Sequence, residues 1–232
     1  MGETTTLQVK EGGGPEIYVA KPEGDGPWPA VIVLAEIYNA NQWVREVADG
    51  YAEAGYLAIA PDLYWRSKPG AYFEYTPEGQ AEGRELGFNM DLDAFSRDMA
   101  EYIEQIRGWS DCTGKVGTVG FCLGGKLVYL AGTRTDVDAG VAYYAVRLQD
   151  FLGEADNLKR PLMMHFASLD AHVPMDVYEQ VKSRLQPIPD VQVFLYEGAD
   201  HGFNRHGYPP FHEEAAKLAR QRSLEFLAAN LT

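Results

Sequence analysis

The stretch Lys115-Val-Gly-Thr-Val-Gly-Phe-Cys-Leu-Gly-Gly-Lys126 decides how the rest of this sequence is interpreted. A β-rich, apolar run ends at Phe121 and a helix-like run begins at Gly124, with Cys122 between them. Gly120 and Gly124 stand two residues on either side of the cysteine, which is the Gly-x-nucleophile-x-Gly spacing of a sharp strand-to-helix turn. Such a turn predicts that the thiol of Cys122 is held in a cleft, where the positive end of a helix favours the thiolate.

Short β-rich or apolar runs alternate with helix-like stretches on both sides of this turn. The predicted strands span residues 7–10, 17–20, 30–35, 56–60, 115–121, 139–144, 162–167 and 191–196. The predicted helices span residues 42–54, 92–107, 124–133, 176–185 and 211–229. This alternation indicates an α/β protein whose parallel sheet is covered on both faces. The first two runs are joined by a Gly-rich turn and predict an antiparallel hairpin at the sheet edge.

The composition is that of a globular protein with its own hydrophobic core, since 46% of the 232 residues are hydrophobic and 23% are charged. No linker, repeat or charge block interrupts it, so we predict one domain over residues 1–232. The formal net charge of −14 disfavours binding to nucleic acid or to anionic lipid. The chain lacks an apolar run of the roughly 18 residues that a membrane span needs. Two cysteines and no leader-like start favour the cytoplasm, and we expect a monomer.

Two polar residues follow predicted strands downstream of Cys122. Asp170 comes shortly after the run 162–167, and His201 comes shortly after the run 191–196. Because the carboxyl ends of parallel strands meet at one edge of a sheet, we expect both side chains near the cysteine. A nucleophile needs a base, and the base needs an orienting carboxylate. The order nucleophile, acid, histidine is also the chain order of the α/β-hydrolases.

Other residues have competing interpretations. The Cys122 stretch also satisfies the first seven positions of a phosphate-binding P-loop, but Leu127 replaces the hydroxyl residue that binds Mg²⁺ there. Cys112 is interpreted as an inert buried thiol. His172 is an alternative to His201 as the partner of the thiol. Because no compact cluster of metal ligands occurs, we predict neither a metal nor a cofactor.

The sequence resembles the dienelactone hydrolases, or carboxymethylenebutenolidases, of the α/β-hydrolase superfamily over nearly its whole length. The resembling segments are Ala35-Glu36-Ile37-Tyr38, Ala60-Pro-Asp-Leu-Tyr64, residues 117–125, Tyr143-Tyr144 and Ala199-Asp-His-Gly-Phe203. The most specific combination is Glu36 with Gly-Phe-Cys-Leu-Gly-Gly. The resemblance implies an α/β-hydrolase fold, with a mostly parallel sheet of about eight strands, an antiparallel N-terminal edge and helices on both faces.

The resemblance also implies the roles of individual residues. Cys122, His201 and Asp170 would form the triad. Glu36 would be the acid that holds or deprotonates the thiol as substrate binds. Physical reasoning agrees that a carboxylate at the end of an apolar run needs a hydrogen-bond partner or a raised pKa.

The implied reaction opens an activated enol-lactone or ester through an acyl thioester. The backbone N–H groups of Ile37 and Leu123 would bind the oxyanion, since one follows the nucleophile and the other follows an early strand. Alternatives are a broad-specificity esterase or acyltransferase of the same fold and, in another class, a P-loop-like nucleotide-binding protein.

The implied substrate is a small lactone or ester that carries a carboxylate. Family members bind that group with two arginines, whose planar guanidinium suits bidentate capture. Arg205 matches one of them. Arg84 lies a few positions after the place where the family pattern has the second arginine. We take Arg84 as the substitute for that arginine. Tyr143, at the end of a predicted strand, is expected to line the pocket.

Overall fold

Eight strands form one sheet in the computed structural model, which describes residues 2–231. In chain order they are β1 (Glu3–Thr6), β2 (Glu16–Ala20), β3 (Trp28–Leu34), β4 (Leu57–Pro61), β5 (Cys112–Phe121), β6 (Ala139–Tyr143), β7 (Leu162–Ala167) and β8 (Val191–Tyr196). Their spatial order is β1-β2-β4-β3-β5-β6-β7-β8. The strands β3 to β8 pair in parallel, whereas β2 pairs antiparallel with both β1 and β4. The predicted sheet architecture is therefore confirmed, including its antiparallel N-terminal edge.

Helices cover both faces of this sheet. They are α1 (Gln42–Glu53), α2 (Pro77–Phe88), α3 (Leu92–Arg107), α4 (Leu123–Arg134), α5 (Met175–Leu185) and α6 (Glu213–Asn230). Side chains of α3, α4 and α5 share one apolar cluster, and those of α1 and α6 share a second. Along β3 the side chains alternate between the two clusters, as a strand buried on both faces requires. No helix within residues 2–231 is both long and apolar enough to cross a membrane.

The first strand lies earlier than predicted. The apolar run 7–10 was expected to pair in the hairpin, but the ladder is formed by the exposed residues Glu3–Thr6. Leu7 and Val9 are buried against the core, and their N–H groups donate to Pro15 O and Gly13 O beyond the regular ladder. Leu7 and Val9 thus pack against the core instead of forming the regular ladder. The ladder is formed by the segment before them, which is rich in threonine, a residue of high β propensity.

Two elements were absent from the prediction, namely α2 and a 3-10 segment at Leu148–Asn157. Glycine lowers helix propensity, and α2 contains Gly79, Gly83 and Gly87 without an apolar stripe. Its N-terminus is nevertheless defined, because the Thr76 side chain accepts a hydrogen bond from Gly79 N at 3.1 Å. Tertiary contacts described below decide that this segment is helical.

Candidate active site

Cys122 occupies the turn between β5 and α4 with φ +55° and ψ −111°. A positive φ at a non-glycine residue is strained by about 1–3 kcal/mol and needs support from its surroundings. That support comes from the neighbouring strands, since Cys122 N donates to Tyr143 O at 3.0 Å and Gly124 N donates to Ala35 O at 2.9 Å. The turn is thereby tied to β6 and to the end of β3.

The two glycines that flank the cysteine are required by close backbone approach. A Cβ on Gly120 would lie 2.2 Å from Gly124 O, and a Cβ on Gly124 would lie 2.0 Å from Leu34 O. Real Cβ atoms do not approach backbone oxygens so closely, so neither position admits a larger residue without displacing the turn. The sequence spacing therefore has a steric origin.

Asp170 and His201 meet near this turn, although they follow different strands. His201 Nδ1 and Asp170 Oδ2 are 2.8 Å apart. The other carboxylate oxygen of Asp170 accepts hydrogen bonds from the backbone N–H groups of His172 at 2.7 Å and Val173 at 3.1 Å. Because Asp170 is buried and held from both sides, it orients the His201 ring and leaves the other nitrogen, Nε2, for the Cys122 side chain.

The charge state of His201 is set by competing effects. Burial lowers its pKa, but the Cys122 thiolate and the Asp170 carboxylate outweigh burial and raise that pKa from 6.5 to about 10. His172 lies beside it, with ring centroids 4.7 Å apart, and burial together with His201 lowers the pKa of His172. His172 meets Asp170 through its backbone. The ring that pairs with the carboxylate is that of His201.

The N–H groups of Ile37 and Leu123 have no hydrogen-bond partner among residues 2–231. Leu123 begins α4, where the first N–H groups lack intrahelical acceptors. The loop that carries Ile37 is held by Tyr64, whose hydroxyl lies 3.0 Å from Ile37 O and 3.2 Å from Gly83 O in α2. Both donors line the same cleft as Cys122.

Glu36 is buried and paired with Arg205. Its Oε1 accepts from Arg205 Nη2 at 2.8 Å and from the Tyr144 hydroxyl at 3.3 Å, and its Oε2 accepts from the Tyr75 hydroxyl at 3.1 Å. Although burial lowers the pKa of Arg205, the Glu36 carboxylate holds it above its usual value. The Arg205 guanidinium also lies over the Tyr75 ring, 4.5 Å from its centroid. Arg205 Nε has no partner, so the guanidinium is only partly satisfied.

Among these residues, Glu36, Cys122, His201 and Arg205 line one cleft with a volume of about 560 Å³. Four cationic side chains are among its lining residues, namely Arg84, Lys126, Arg147 and Arg205. The acidic side chains that line it are Glu36 and Asp200. The cleft is therefore richer in cations than the chain as a whole, whose formal net charge is −14. Such local charge attracts anionic ligands.

Comparison with known proteins decides the family. The profile described as the dienelactone hydrolase family matches residues 16–231. The chain belongs to the dienelactone hydrolase family. A protein of Azospirillum brasilense named "Putative carboxymethylenebutenolidase" is 37% identical over 230 residues, which cover 97% of this chain and 98% of that protein. The carboxymethylenebutenolidase of Pseudomonas putida is 34% identical over 203 residues, which cover 87% and 86% of the two chains.

Solved structures agree with this assignment. A crystal structure described as "Putative Dienelactone Hydrolase", from Klebsiella pneumoniae, superposes with a TM-score of 0.86 and 27% sequence identity, over 98% of both chains. The predicted α/β-hydrolase fold is confirmed, and this chain is a hydrolase of the dienelactone hydrolase family. Leu127, which stands at the hydroxyl position of a P-loop, is fully buried in the core.

Two of the three predicted substrate-binding residues line the cleft, and the third does not. Arg84 and Arg205 both line the cleft. Tyr143 does not, because it is fully buried and its hydroxyl lies 2.7 Å from Ser223 Oγ of α6. The expectation that Tyr143 lines the pocket thus disagrees with its position. The next residue, Tyr144, leaves the strand with φ +35° and reaches Glu36 instead.

Sequence reasoning missed the tyrosines that hold Glu36 and the Ile37 loop, as well as Lys126 in the cleft wall. Tyr64 and Tyr144 belong to segments that carry the family resemblance, which was the available signal. The signal for Lys126 was its place in the P-loop-like pattern, where a lysine faces an anion. Tyr75 offered none, since its contact with Glu36 joins residues 39 positions apart.

Proposed function

We propose that this chain hydrolyses activated lactones or esters with Cys122 as nucleophile, His201 as acid and base, and Asp170 as the group that orients His201. The observation that carries the proposal is Cys122 at a strained strand-to-helix turn, lining the same cleft as a histidine that is paired with a buried aspartate. The family supplies the coarser function, and this geometry supports the finer one.

In the first half-reaction the Cys122 thiolate attacks the ester carbonyl, and its sulfur forms a bond to the carbonyl carbon. The oxygen takes the electron pair and is stabilised by the N–H groups of Ile37 and Leu123. Collapse of this intermediate breaks the carbon–oxygen bond of the ester. The departing oxygen accepts the proton of the His201 imidazolium, either as the bond breaks or, for a stable enolate, after it has left, so that His201 becomes neutral. Activated leaving groups are therefore preferred over simple alkyl esters.

In the second half-reaction neutral His201 accepts a proton from water, and the resulting hydroxide attacks the acyl thioester. The same two N–H groups stabilise the second oxyanion. The thiolate then leaves, and the product is released as a carboxylic acid. Asp170 stabilises the imidazolium that forms in this step, as the carboxylate does in other triads.

Glu36 and Arg205 couple substrate binding to the thiol. A substrate carboxylate that binds Arg205 competes with Glu36 for the guanidinium, whose Nε has no partner. Glu36 released from that ion pair is a carboxylate free to pass the thiol proton on to His201, which gives the thiolate and imidazolium of the first half-reaction. We propose on this basis that the preferred substrates carry a carboxylate, which the cationic lining of the cleft favours, with Arg84 as the second arginine.

The decisive experiment compares Cys122→Ser with Cys112→Ser, since both cysteines are free and buried. We expect Cys122→Ser to lose most turnover on an enol-lactone, while Cys112→Ser retains it. Mass spectrometry of the wild type quenched during turnover should show the acyl group on Cys122. Unchanged lactone turnover in Cys122→Ser would refute the proposal.

A further inference from the structure

Lys126 is a nearly buried cation without a direct ion-pair partner among the described residues. It lies in the first turn of α4, lines the cleft and is only 7% exposed. Within residues 2–231 its ammonium group makes neither a salt bridge nor a hydrogen bond, and the nearest π face is Phe151, at 6.0 Å from Nζ. Arg205, by contrast, is paired with Glu36. Lys126 is thus an unpartnered ammonium group that faces the substrate cavity.

The free protein bears the energetic cost of this arrangement. Burying an unpaired charge is unfavourable, and burial accordingly lowers the pKa of Lys126. The neighbouring Arg147 guanidinium lowers that pKa further. A cation near a helix N-terminus also opposes the helix dipole. These three effects disfavour a lysine here, and the charges of Cys122 and Asp150 offset them only in part. An anion bound in the cleft would reverse the first two.

The position of Lys126 distinguishes it from Arg205. The charges that act on Lys126 are those of Arg147, Cys122 and Asp150, whereas those that act most strongly on Arg205 are Glu36 and the nearby tyrosines. In the proposed reaction the leaving group must face His201, which supplies its proton. Lys126 lies one turn of α4 from Cys122, with Lys126 N donating to Cys122 O at 3.3 Å. His201 is not among the charges that act on Lys126. An anion held by Lys126 is therefore assigned to the acyl part of the substrate, away from the leaving group that His201 protonates.

We propose that Lys126 binds a carboxylate on the acyl part of the substrate, at a position separate from Arg205. This inference rests on the proposed ester hydrolysis and names a specificity-determining residue for it. Arg147 adds to the same positive field, although its own guanidinium pairs with Asp150 at 2.9 Å. The preferred acyl groups then end in a carboxylate rather than a methyl group.

The test uses Lys126→Met, which keeps the length of the side chain and removes its charge. The control is Lys217→Met, which removes an exposed charge on α6. Two 4-nitrophenyl esters of equal chain length are compared, the hydrogen adipate and the hexanoate. We expect Lys126→Met to lower kcat/KM for the adipate ester about 10- to 100-fold relative to the hexanoate, through KM, while Lys217→Met leaves the ratio unchanged.

Two results would overturn the inference. An equal fall for both esters would place the effect of Lys126 on the Cys122 thiolate instead of on the substrate. A fall of the same size for 4-carboxyphenyl hexanoate would place the bound carboxylate in the leaving group. Activity of the wild type on the hexanoate ester keeps the proposed hydrolysis standing in both cases.

Free adipate gives a readout that needs no turnover. It should raise the Tm of the wild type and of Lys217→Met but not that of Lys126→Met. Without ligand, Lys126→Met should melt at the same or a higher temperature than the wild type, because an unpaired buried charge has been removed. Equal stabilisation of all three proteins by adipate would overturn the role of Lys126. Absence of turnover on every ester would instead refute the proposed function.

Discussion

Two ion pairs lie at the cleft that contains the Cys122 sulfur. His201 is paired with Asp170 at 2.8 Å, and Arg205 is paired with Glu36 at the same distance. The first pair holds the histidine whose pKa the charge of Cys122 raises. The second holds the Glu36 carboxylate, which in the proposed mechanism acts on the thiol once Arg205 binds a substrate anion. In the proposed mechanism, activity therefore depends on which anion each cation faces.

Removing the thiol should lower the pKa of His201. In the wild type that pKa is raised to about 10, with the charge of Cys122 as the largest contribution that raises it. In Cys122→Ala the opposing effect of burial remains, so the His201 pKa should fall while Asp170 keeps the ring oriented. NMR titration of the imidazole proton would measure this, with Cys112→Ala as the matched control.

The raised pKa of His201 also predicts how the stability of the protein changes in alkaline solution. A histidine whose pKa rises from 6.5 to about 10 on folding stabilises the protein fully below pH 6.5. This contribution is lost as the pH rises through about 10.

A His201 pKa that did not change between the wild type and Cys122→Ala would contradict the assigned coupling between thiolate and imidazole.

Among the secondary-structure elements, α2 connects the outer wall of the cleft with the loop at Ile37, which we propose as the oxyanion loop. Its glycines let the helix backbone lie against that loop, because a Cβ on Gly83 would stand 2.3 Å from Ile37 O. A Cβ on Gly87 would lie 3.2 Å from Leu123 Cδ2. On the cleft side the same helix presents Arg84 and Phe88. The glycines of α2 lower its helix propensity, but they also allow its backbone to pack closely against the neighbouring residues, and this packing stabilises the helix.

Gly83→Ala should damage both stability and catalysis. The added methyl group meets a backbone oxygen that no rotamer change can move, so α2 or the Ile37 loop must shift. We expect a loss of about 1–3 kcal/mol in the free energy of unfolding and a fall in kcat through the displaced Ile37 N–H. Urea unfolding and steady-state kinetics would measure these effects.

Gly153→Ala is the matched control, because its Cβ would meet no heavy atom within 4 Å. That variant should keep the activity of the wild type. Wild-type kcat in Gly83→Ala would show that α2 does not position the oxyanion loop.

For the molecule as a whole, a buried polar network joins the sheet to its last helix. His165 of β7 lies 2.9 Å from the Tyr196 hydroxyl of β8 and 3.0 Å from Ser223 Oγ of α6. Ser223 also meets the Tyr143 hydroxyl of β6. Every one of these groups has a hydrogen-bond partner. Because burial makes a charged imidazole unfavourable, His165 is stable in the core only while it is neutral.

This network should make the fold sensitive to acid. Burial, aided by the charge of Arg222, lowers the pKa of His165 from 6.5 to about 3. Between these values the unfolded chain binds a proton that the folded chain does not, so stability is lost as the pH falls from 6.5 towards 3. The free energy of unfolding should decline by roughly 1 kcal/mol per pH unit from this group. Urea unfolding between pH 4 and pH 7 would measure the slope.

His165→Gln should flatten that slope, even if lost hydrogen bonds lower its stability at every pH. His206→Gln is the control, since His206 is exposed. Parallel stability curves for the wild type and His165→Gln would rule out His165 as a source of acid sensitivity.

Local sequence pattern was sufficient wherever a local cause determines the structure. Strand alternation and glycine spacing predicted the sheet and the turn at Cys122, because pleat geometry and close backbone contact act over a few residues. The strands Leu162–Ala167 and Val191–Tyr196 and the helix Leu92–Arg107 lie where they were predicted. The fold class and the family follow from these short-range patterns.

Only the tertiary structure decided which distant groups meet. The pairing of Arg205 with Glu36 joins residues 169 positions apart, and no local pattern encodes it. The helix α2 forms because its glycines fit against Ile37 and Leu123. The direction of Tyr143 and the unpaired state of Lys126 depend on what the remaining elements leave beside them. Local pattern sets backbone geometry, whereas partners across the fold set the charge and contacts of each side chain.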